Sequence, residues 1–381
     1  MAALPPTYPL LKRLDWVNTL FLIITPLVVL TWTPLHIYLY GLEWKVLAFF
    51  FIYSVITSLS ITGGYHRLIA HRAYQVRPWV KLMYLFFGAA AFQGSALKWC
   101  SAHRDHHRYV DTEDDPYTIT KGFWHAHIGW VFLKDDPNNP LKFAPDLLKD
   151  PWMVWQHKYY FPISFFFGFG LPLLIGWMMG SPLGGLLYAG FVRAVFTQHC
   201  TFFINSVCHF WGSQPYTRKN TARDNMLMAI FTYGEGYHNF HHKFQADYRN
   251  GIRWYHWDPT KWLIQLMALF KQASHLKQVS AEEILKARLL RDEEILREKG
   301  LSPDTLAAFR LKVEEAQRRF YQLKADYKTF KKTKRDQFEQ YLQAQRDSWE
   351  PQKQALRDQV IEAKFQFRMA MAQWKRLKAM A

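Results

Sequence analysis

Hydrophobic positions fall into two regimes along this chain. Two long, almost unbroken apolar runs cover Trp16 to Tyr40 and Trp44 to about Tyr65, and a second pair covers Tyr159 to Met179 and Leu183 to about Phe203. At a helical rise of about 1.5 Å per residue each run is long enough to cross roughly 30 Å of hydrocarbon. The connections within each pair are short, the second being Gly180-Ser181-Pro182, so the pattern predicts four transmembrane helices in two hairpins. Pro26 and Pro34 interrupt the first run, which neighbouring helices tolerate by re-satisfying the freed carbonyls. The stretch Trp79 to Leu97 is apolar but broken by Gly88, Gln93, Gly94 and Ser95; it predicts a helix lying in the interface or packed under a catalytic domain.

From about Ser280 the regime changes to apolar stripes set in dense charge. Gly300 reads as a helix stop, and Ser302-Pro303 as an N-cap followed by proline at the first helical position. Val313, Ala316, Phe320, Leu323, Tyr327 and Phe330 then alternate spacings of three and four. Leu356, Val360, Ala363, Phe367, Ala370, Trp374 and Leu377 repeat that spacing, with Pro351 between the two runs. Heptad spacing of this kind predicts an antiparallel helical hairpin, or pairing with another chain. The expected fold is therefore all-α: an integral membrane unit over residues 1–275 and a charged helical extension over 280–381.

Composition matters where it separates these regimes. The mean hydropathy of −0.20 averages two unlike regions and does not argue against a membrane protein. The net charge of +17 suits nucleic acid in principle, but the membrane supplies a plainer reason for it. Lys12 and Arg13 precede the first run, Arg67, Arg72, Arg77, Lys81 and Arg104 follow the second, and Arg218, Lys219 and Arg223 follow the fourth. By the positive-inside rule both termini and both polar regions face the cytoplasm, with no nucleic-acid partner expected. The first run is long and no small-residue cleavage site follows it, so it is expected to be a retained span. Cys100, Cys200 and Cys208 are too few for a disulfide framework and form no Cys-x-x-Cys pair.

The chemistry lies in the histidines. One cluster is His66 and His71, a second is His103, His106 and His107, and a third is His238, His241 and His242. The second and third share the spacing i, i+3, i+4, which puts three imidazoles on one face of a helix. The i, i+5 pair shares an α-helical face poorly; it suits a helix end that turns, or ligands serving different metals. His209 is a ninth candidate, with Asn205 one turn before it. Nine imidazoles exceed the needs of one ion and imply a dinuclear site. By softness alone iron, copper, zinc and nickel all fit, although a structural zinc site closes at four ligands. Asp105, Asp111, Asp114, Asp115, Asp224 and Glu235 are available to offset the metal charge. The other seven, His36, His125, His127, His157, His199, His256 and His275, lack this clustering and are expected to be structural.

Over about Trp44 to Leu263 the sequence resembles the membrane-bound fatty acyl desaturases, specifically the acyl-CoA Δ9 (stearoyl-CoA type) branch. The resemblance rests on Gly63-Gly-Tyr-His-Arg-Leu-Ile-Ala-His71-Arg, His103-Arg-Asp-His-His-Arg-Tyr-Val-Asp-Thr112, Asp115-Pro-Tyr117 and Gly129-Trp130. It continues through Asn205-Ser-Val-Cys-His209, Gly234-Glu-Gly-Tyr-His-Asn-Phe-His-His242 and Asp258-Pro-Thr-Lys-Trp262. It implies two non-haem irons held by His66, His71, His103, His106, His107, His209, His238, His241 and His242, with Asn205 acting through a water. No catalytic side chain beyond these ligands is implied. It also implies a kinked acyl tunnel, with Gln93, Trp99 and Thr201 at the kink, and O2-dependent Δ9 desaturation of a fatty acyl-CoA in the membrane.

Animal members hold CoA with an Arg-Asp pair before the second histidine box, where this chain has Ser101-Ala102. A following basic pair is reduced to Lys134-Asp135, leaving Lys134 as the expected carrier contact. No His-Pro-Gly-Gly haem motif is present, so electrons are expected from a separate cytoplasmic donor such as a cytochrome b5 or a ferredoxin. A related di-iron desaturase of lipid-bound chains, a lipid or alkane hydroxylase, and a non-redox membrane zinc protein are the competing readings. Endoplasmic reticulum and bacterial inner membrane both fit.

Overall fold

Asp15 starts the first long helix, its carboxylate accepting the backbone N–H of Asn18 at 3.1 Å. The helix Trp16–Tyr40 then ends at Gly41, whose φ of 75° lets the chain reverse without a side-chain clash. The computed structural model describes residues 10–134, 141, 143–338 and 346–380, and these are very largely helical. They fall into two compact units: one runs up to Gln214 and includes Arg218–Gln278, and the other comprises Pro215–Thr217 with the residues from Val279 on.

In the first unit three helices are long and apolar enough to cross a membrane: Trp16–Tyr40, Trp44–Ala70 and Tyr160–Met178. The expected fourth run is also helical, as Pro182–Gly185, Leu186–Val192 and Arg193–Phe210, but its polar residues keep it outside that group. Arg193 sits in its middle, fully buried, with its guanidinium donating to the carbonyls of Ala189, Ala90 and Gly168 at 2.6, 2.8 and 3.1 Å. The helices of the second pair approach closely because both present glycine: a Cβ on Gly176 would lie 2.7 Å from Gly185 Cα. The ambiguous segment is a helix, Pro78–Ala89, whose Val80, Tyr84, Leu85, Gly88 and Ala89 pack inward while Trp79 stays exposed. Gln75–Val76 pairs antiparallel with Ala273–Ser274, tying the end of this unit back to its histidine-bearing half.

The second unit holds three helices, Ala281–Glu298, Pro303–Phe338 and Arg346–Met380. Ser280 and Glu283 form a reciprocal capping box at the first, and Gly300, at φ 88°, separates it from the next. Leu289, Val313 and Trp374 are fully buried together, with Phe309 and Phe367 against them, so each helix contributes to one core. The two heptad runs do pack on one another, Phe320 lying 6.3 Å from Phe367 ring to ring. Pro351 does not divide the runs. It lies inside the helix Arg346–Met380, ahead of Leu356, and the helix continues through it.

Candidate metal centre

Local backbone geometry assembles the histidines. The second spanning helix changes register at Ser60 and continues to Ala70 as a π-helix. In that register the N–H of His71 bonds to the carbonyl of His66 at 3.1 Å, so i and i+5 stand one turn apart and their rings lie 4.8 Å from each other. The i, i+5 spacing therefore serves one site, not two. Gly64 permits the close packing this needs: a Cβ there would meet Tyr84 Cβ at 2.6 Å. Ser95 caps the helix Ala96–Tyr109 by accepting from Lys98 N at 3.2 Å, and that helix carries His103, His106 and His107. The short helix His238–Lys243 carries the third triad, and His209 lies near the end of Arg193–Phe210.

All nine histidines converge, in two groups. His66, His71, His103, His107 and His241 form one; His106, His209, His238 and His242 form the other. Within the first, the Nε2 atoms of His66 and His241 are 3.0 Å apart, those of His71 and His103 2.8 Å, and those of His107 and His241 2.9 Å. Within the second, His209 and His242 each bring Nε2 to 3.0 Å from His238 Nε2, and His106 to 3.3 Å from His242. A neutral imidazole nitrogen is either donor or acceptor. Hydrogen bonding alone does not explain Nε2 atoms of His238 and His241 with two such neighbours each. Two nitrogen ligands about 2.1 Å from one ion and at right angles stand about 3 Å apart, which matches.

The outward nitrogens meet a second layer. His66 Nδ1 lies 2.8 Å from Glu235 Oε2, and His106 Nδ1 bonds to Asp115 Oδ1 at 2.9 Å. His209 Nδ1 bonds to Thr221 Oγ1 at 2.8 Å, and Thr221 in turn donates to Asp111 at 2.6 Å. Such partners hold the proton on Nδ1 and leave the Nε2 lone pair facing inward. Of the six acidic candidates, Glu235, Asp115 and Asp111 take these places. Asp224 instead accepts the backbone N–H of Phe240 inside the third triad.

Burial, reinforced by neighbouring imidazoles, holds His71, His103, His107, His238, His241 and His242 well below the usual histidine pKa, and lowers His209 to about 3. They are neutral donors at physiological pH, the form a metal takes. Burial pushes the Glu235 carboxyl up, but Arg67 and His66 outweigh it and hold it below its ordinary value. Asp115 behaves likewise, its burial outweighed by His106 and by the backbone N–H groups of Asp111 and Tyr117.

A cavity of about 1030 Å³ reaches this centre. His66, His103, His106 and His238 line it, so both groups border one space. Gln93, Trp99 and Thr201 also line it and are mutually bonded: Trp99 Nε1 donates to Gln93 Oε1 at 3.2 Å, and Gln93 Nε2 to Thr201 Oγ1 at 2.9 Å. Phe21, Phe92, Phe165, Phe169 and Phe191 line it too, their rings packed on one another. Asn205 lines the cavity as well. Lys134 is exposed and outside the lining, its backbone N–H bonded to Arg13 O; Asp135 lies outside the described residues. The lysines on the lining are Lys98 and Lys158. A second opening, of about 480 Å³, exposes His71 and His107 among Arg72, Arg104 and Arg108.

Several residues gained significance only from the fold. Arg67 is 1% exposed and bonds Glu235 at 2.8 Å, Asp258 at 3.0 Å and the Tyr248 carbonyl at 2.9 Å. Tyr117 stacks on His106 at 4.5 Å. Four of the seven unclustered histidines have other partners: His127 pairs with His199 at 3.0 Å and with Ser206, His157 with Ser95, and His36 with Glu43.

Residues 42–274 match the family model "Fatty acid desaturase". The chain is 40% identical over 287 residues to a "Probable acyl-CoA desaturase" of Schizosaccharomyces pombe, covering 75% of this chain and 59% of that protein. It is 39% identical over 297 residues to "Acyl-CoA desaturase 1" of Saccharomyces cerevisiae, covering 76% and 56%. With a "sn-2 palmitoyl-lipid 9-desaturase" of Nostoc it shares 36% over 231 residues, 59% of this chain and 79% of that protein. The chain thus spans less than two thirds of the length of the two yeast proteins. A family match over more than half of its residues shows that this chain belongs to the fatty acid desaturases.

Proposed function

We propose that the chain is an O2-dependent Δ9 fatty acyl-CoA desaturase working at a non-haem di-iron centre. One observation carries the reading: imidazoles of both histidine groups, His66 and His103 from one and His106 and His238 from the other, border a single cavity that a cluster of phenylalanines also lines. The five-histidine group holds one iron and the four-histidine group the other, with Asn205 completing the second through a water. Bound iron supplies the oxidising power that no side-chain acid or base has against an unactivated C–H bond.

The protein's own part is position and exclusion of water. The phenylalanines hold the acyl chain, and the bonded trio Gln93, Trp99 and Thr201 sets the bend that fixes which carbon pair meets the metals. Two hydrogens leave the chain as a cis double bond forms, two electrons and two protons enter, and O2 becomes two waters. Lys98 and Lys158 are better placed than Lys134 to meet carrier phosphates, since only they line the cavity. The electron donor is a separate protein with acidic groups, for which the arginine-rimmed opening beside His71 and His107 is suited. The run from Leu183 to about Phe203 forms a fourth span, tolerated because carbonyls satisfy Arg193 inside the bundle. Both termini are cytoplasmic, and residues 280–381 form a separate extension.

Expression in a host lacking its own Δ9 desaturase tests this, with fatty acids measured by gas chromatography and mass spectrometry and His106→Ala as control. A Δ9 monoene absent from the control is expected. Hydroxylated lipid in its place, or an unchanged profile with zinc bound, overturns the assignment. A Δ9 bond appearing first on intact glycerolipid, as the Nostoc relative's name describes for that protein, would replace CoA as the carrier.

A further inference from the structure

The helix Arg346–Met380 has two apolar faces, and among the described residues nothing covers the second. Ala363, Phe367, Ala370 and Trp374 face the core of the extension. Ile361, Phe365 and Met369 stand on another side at i, i+4 and i+8, exposed to 55%, 56% and 45%. Single exposed hydrophobics need no explanation, but a contiguous stripe does. Arg357, Lys364, Arg368 and Lys375, all exposed, run alongside it. Stripe and cations together occupy roughly 140° of the helix circumference at about 3.6 residues per turn. The carboxylates of Asp358 and Glu362 border only the N-terminal end, each bonded to a glutamine, and no acidic residue follows Glu362.

We infer that this face of the C-terminal helix lies on an anionic membrane surface, its Ile361, Phe365 and Met369 entering the headgroup boundary and its cations meeting lipid phosphates. Apolar side chains beside a row of Lys and Arg on one exposed helix face are the pattern of an interfacial helix. A second copy fits less well: an antiparallel two-fold pairing of this face sets cation flank against cation flank. The inference goes beyond the enzymatic reading and stands or falls apart from it, needing only that the chain also carries membrane-spanning helices.

The test uses the full chain reconstituted in phosphatidylcholine vesicles with and without phosphatidylglycerol. Phe365→Cys carries an environment-sensitive fluorophore; native Cys100, Cys200 and Cys208 are buried, which favours labelling at the new thiol. Gln359→Cys, exposed on another side of the same helix, is the control. Expected are a blue-shifted emission at position 365 and quenching by spin-labelled lipid in the anionic vesicles only. Raised salt should weaken both, and each cation reversed in Lys364→Glu and Arg368→Glu should lower the bound fraction roughly fivefold or more. Equal signals at 365 and 359, or quenching indifferent to lipid charge, overturn the inference. So does concentration-dependent energy transfer between labelled copies, which assigns the face to self-association.

Discussion

The backbone N–H of His71 bonds to the carbonyl of His66 at 3.1 Å, and both imidazoles enter the same five-nitrogen group. The π-helical register is what makes an i, i+5 pair act as neighbours. His71→Ala should therefore weaken one metal position and spare the other. Metal analysis of the purified variant should give about one ion per chain against about two for the unaltered protein. His209→Ala should produce the same count from the opposite group. Loss of both ions from either variant would mean that the groups do not load independently.

Arg67 offers a sharper test of the layer behind the ligands. It lies fully buried between Glu235 and Asp258, and Glu235 also touches His66. Arg67→Met leaves two buried carboxylates without their cation, and breaking such a pair costs about 3–5 kcal/mol. A lowered unfolding temperature in detergent and poor metal retention are expected. Arg67→Lys should recover only part, because an ammonium lacks the fork that spans both carboxylates. A normal melting curve for the methionine variant would show that the network contributes little.

What the sequence discloses about this molecule depends on range. The i, i+3, i+4 triads at His103 and His238 were legible because spacing on one helix fixes direction. The apolar stripes of the tail's two long helices are legible for the same reason, whereas nothing in their spacing announces the third helix that adds Leu289 to the core. Arg67 was read as one of many membrane-flanking cations, since its partners lie 168 and 191 residues away. Arg193 interrupts an apolar run with no partner near it in sequence but Ala189, because the other carbonyls that satisfy it come from Ala90 and Gly168. The π register was hidden because α-helical geometry was assumed, and the i, i+5 spacing was its only trace. Pro351 is costly inside a helix because it removes a backbone donor, yet the helix Arg346–Met380 continues through it.

The hydrogen bond from Gln93 to Thr201 predicts where specificity resides. Thr201→Val keeps volume and removes the acceptor, so Gln93 loses a partner and the support of Trp99 slackens. Stability should fall by only about 0.5–1.5 kcal/mol. Product should respond more, as a lower yield or as double bonds spread to neighbouring positions. Locating the bonds by derivatisation and mass spectrometry reads this directly; a single unchanged Δ9 product at full yield would remove the trio from any role in the bend.

The buried imidazoles also set a pH dependence for the metal-stripped protein. In the folded chain His71, His103, His107, His238, His241 and His242 titrate well below their ordinary value, burial being the main cause. Unfolded, each titrates near about 6.5. As pH falls through that value the unfolded chain binds protons that the folded chain does not, so stability present above about pH 6.5 is lost below it. Chelator-treated protein should show an unfolding midpoint that is level from about pH 8 to 7 and declines towards about pH 5.5. Iron-loaded protein should unfold at a higher midpoint throughout and decline at least as steeply over the same interval, because the loss comes from protons bound by the unfolded chain and the metal keeps the folded ligands unprotonated. Coincident curves with and without metal would mean that these nitrogens do not hold it.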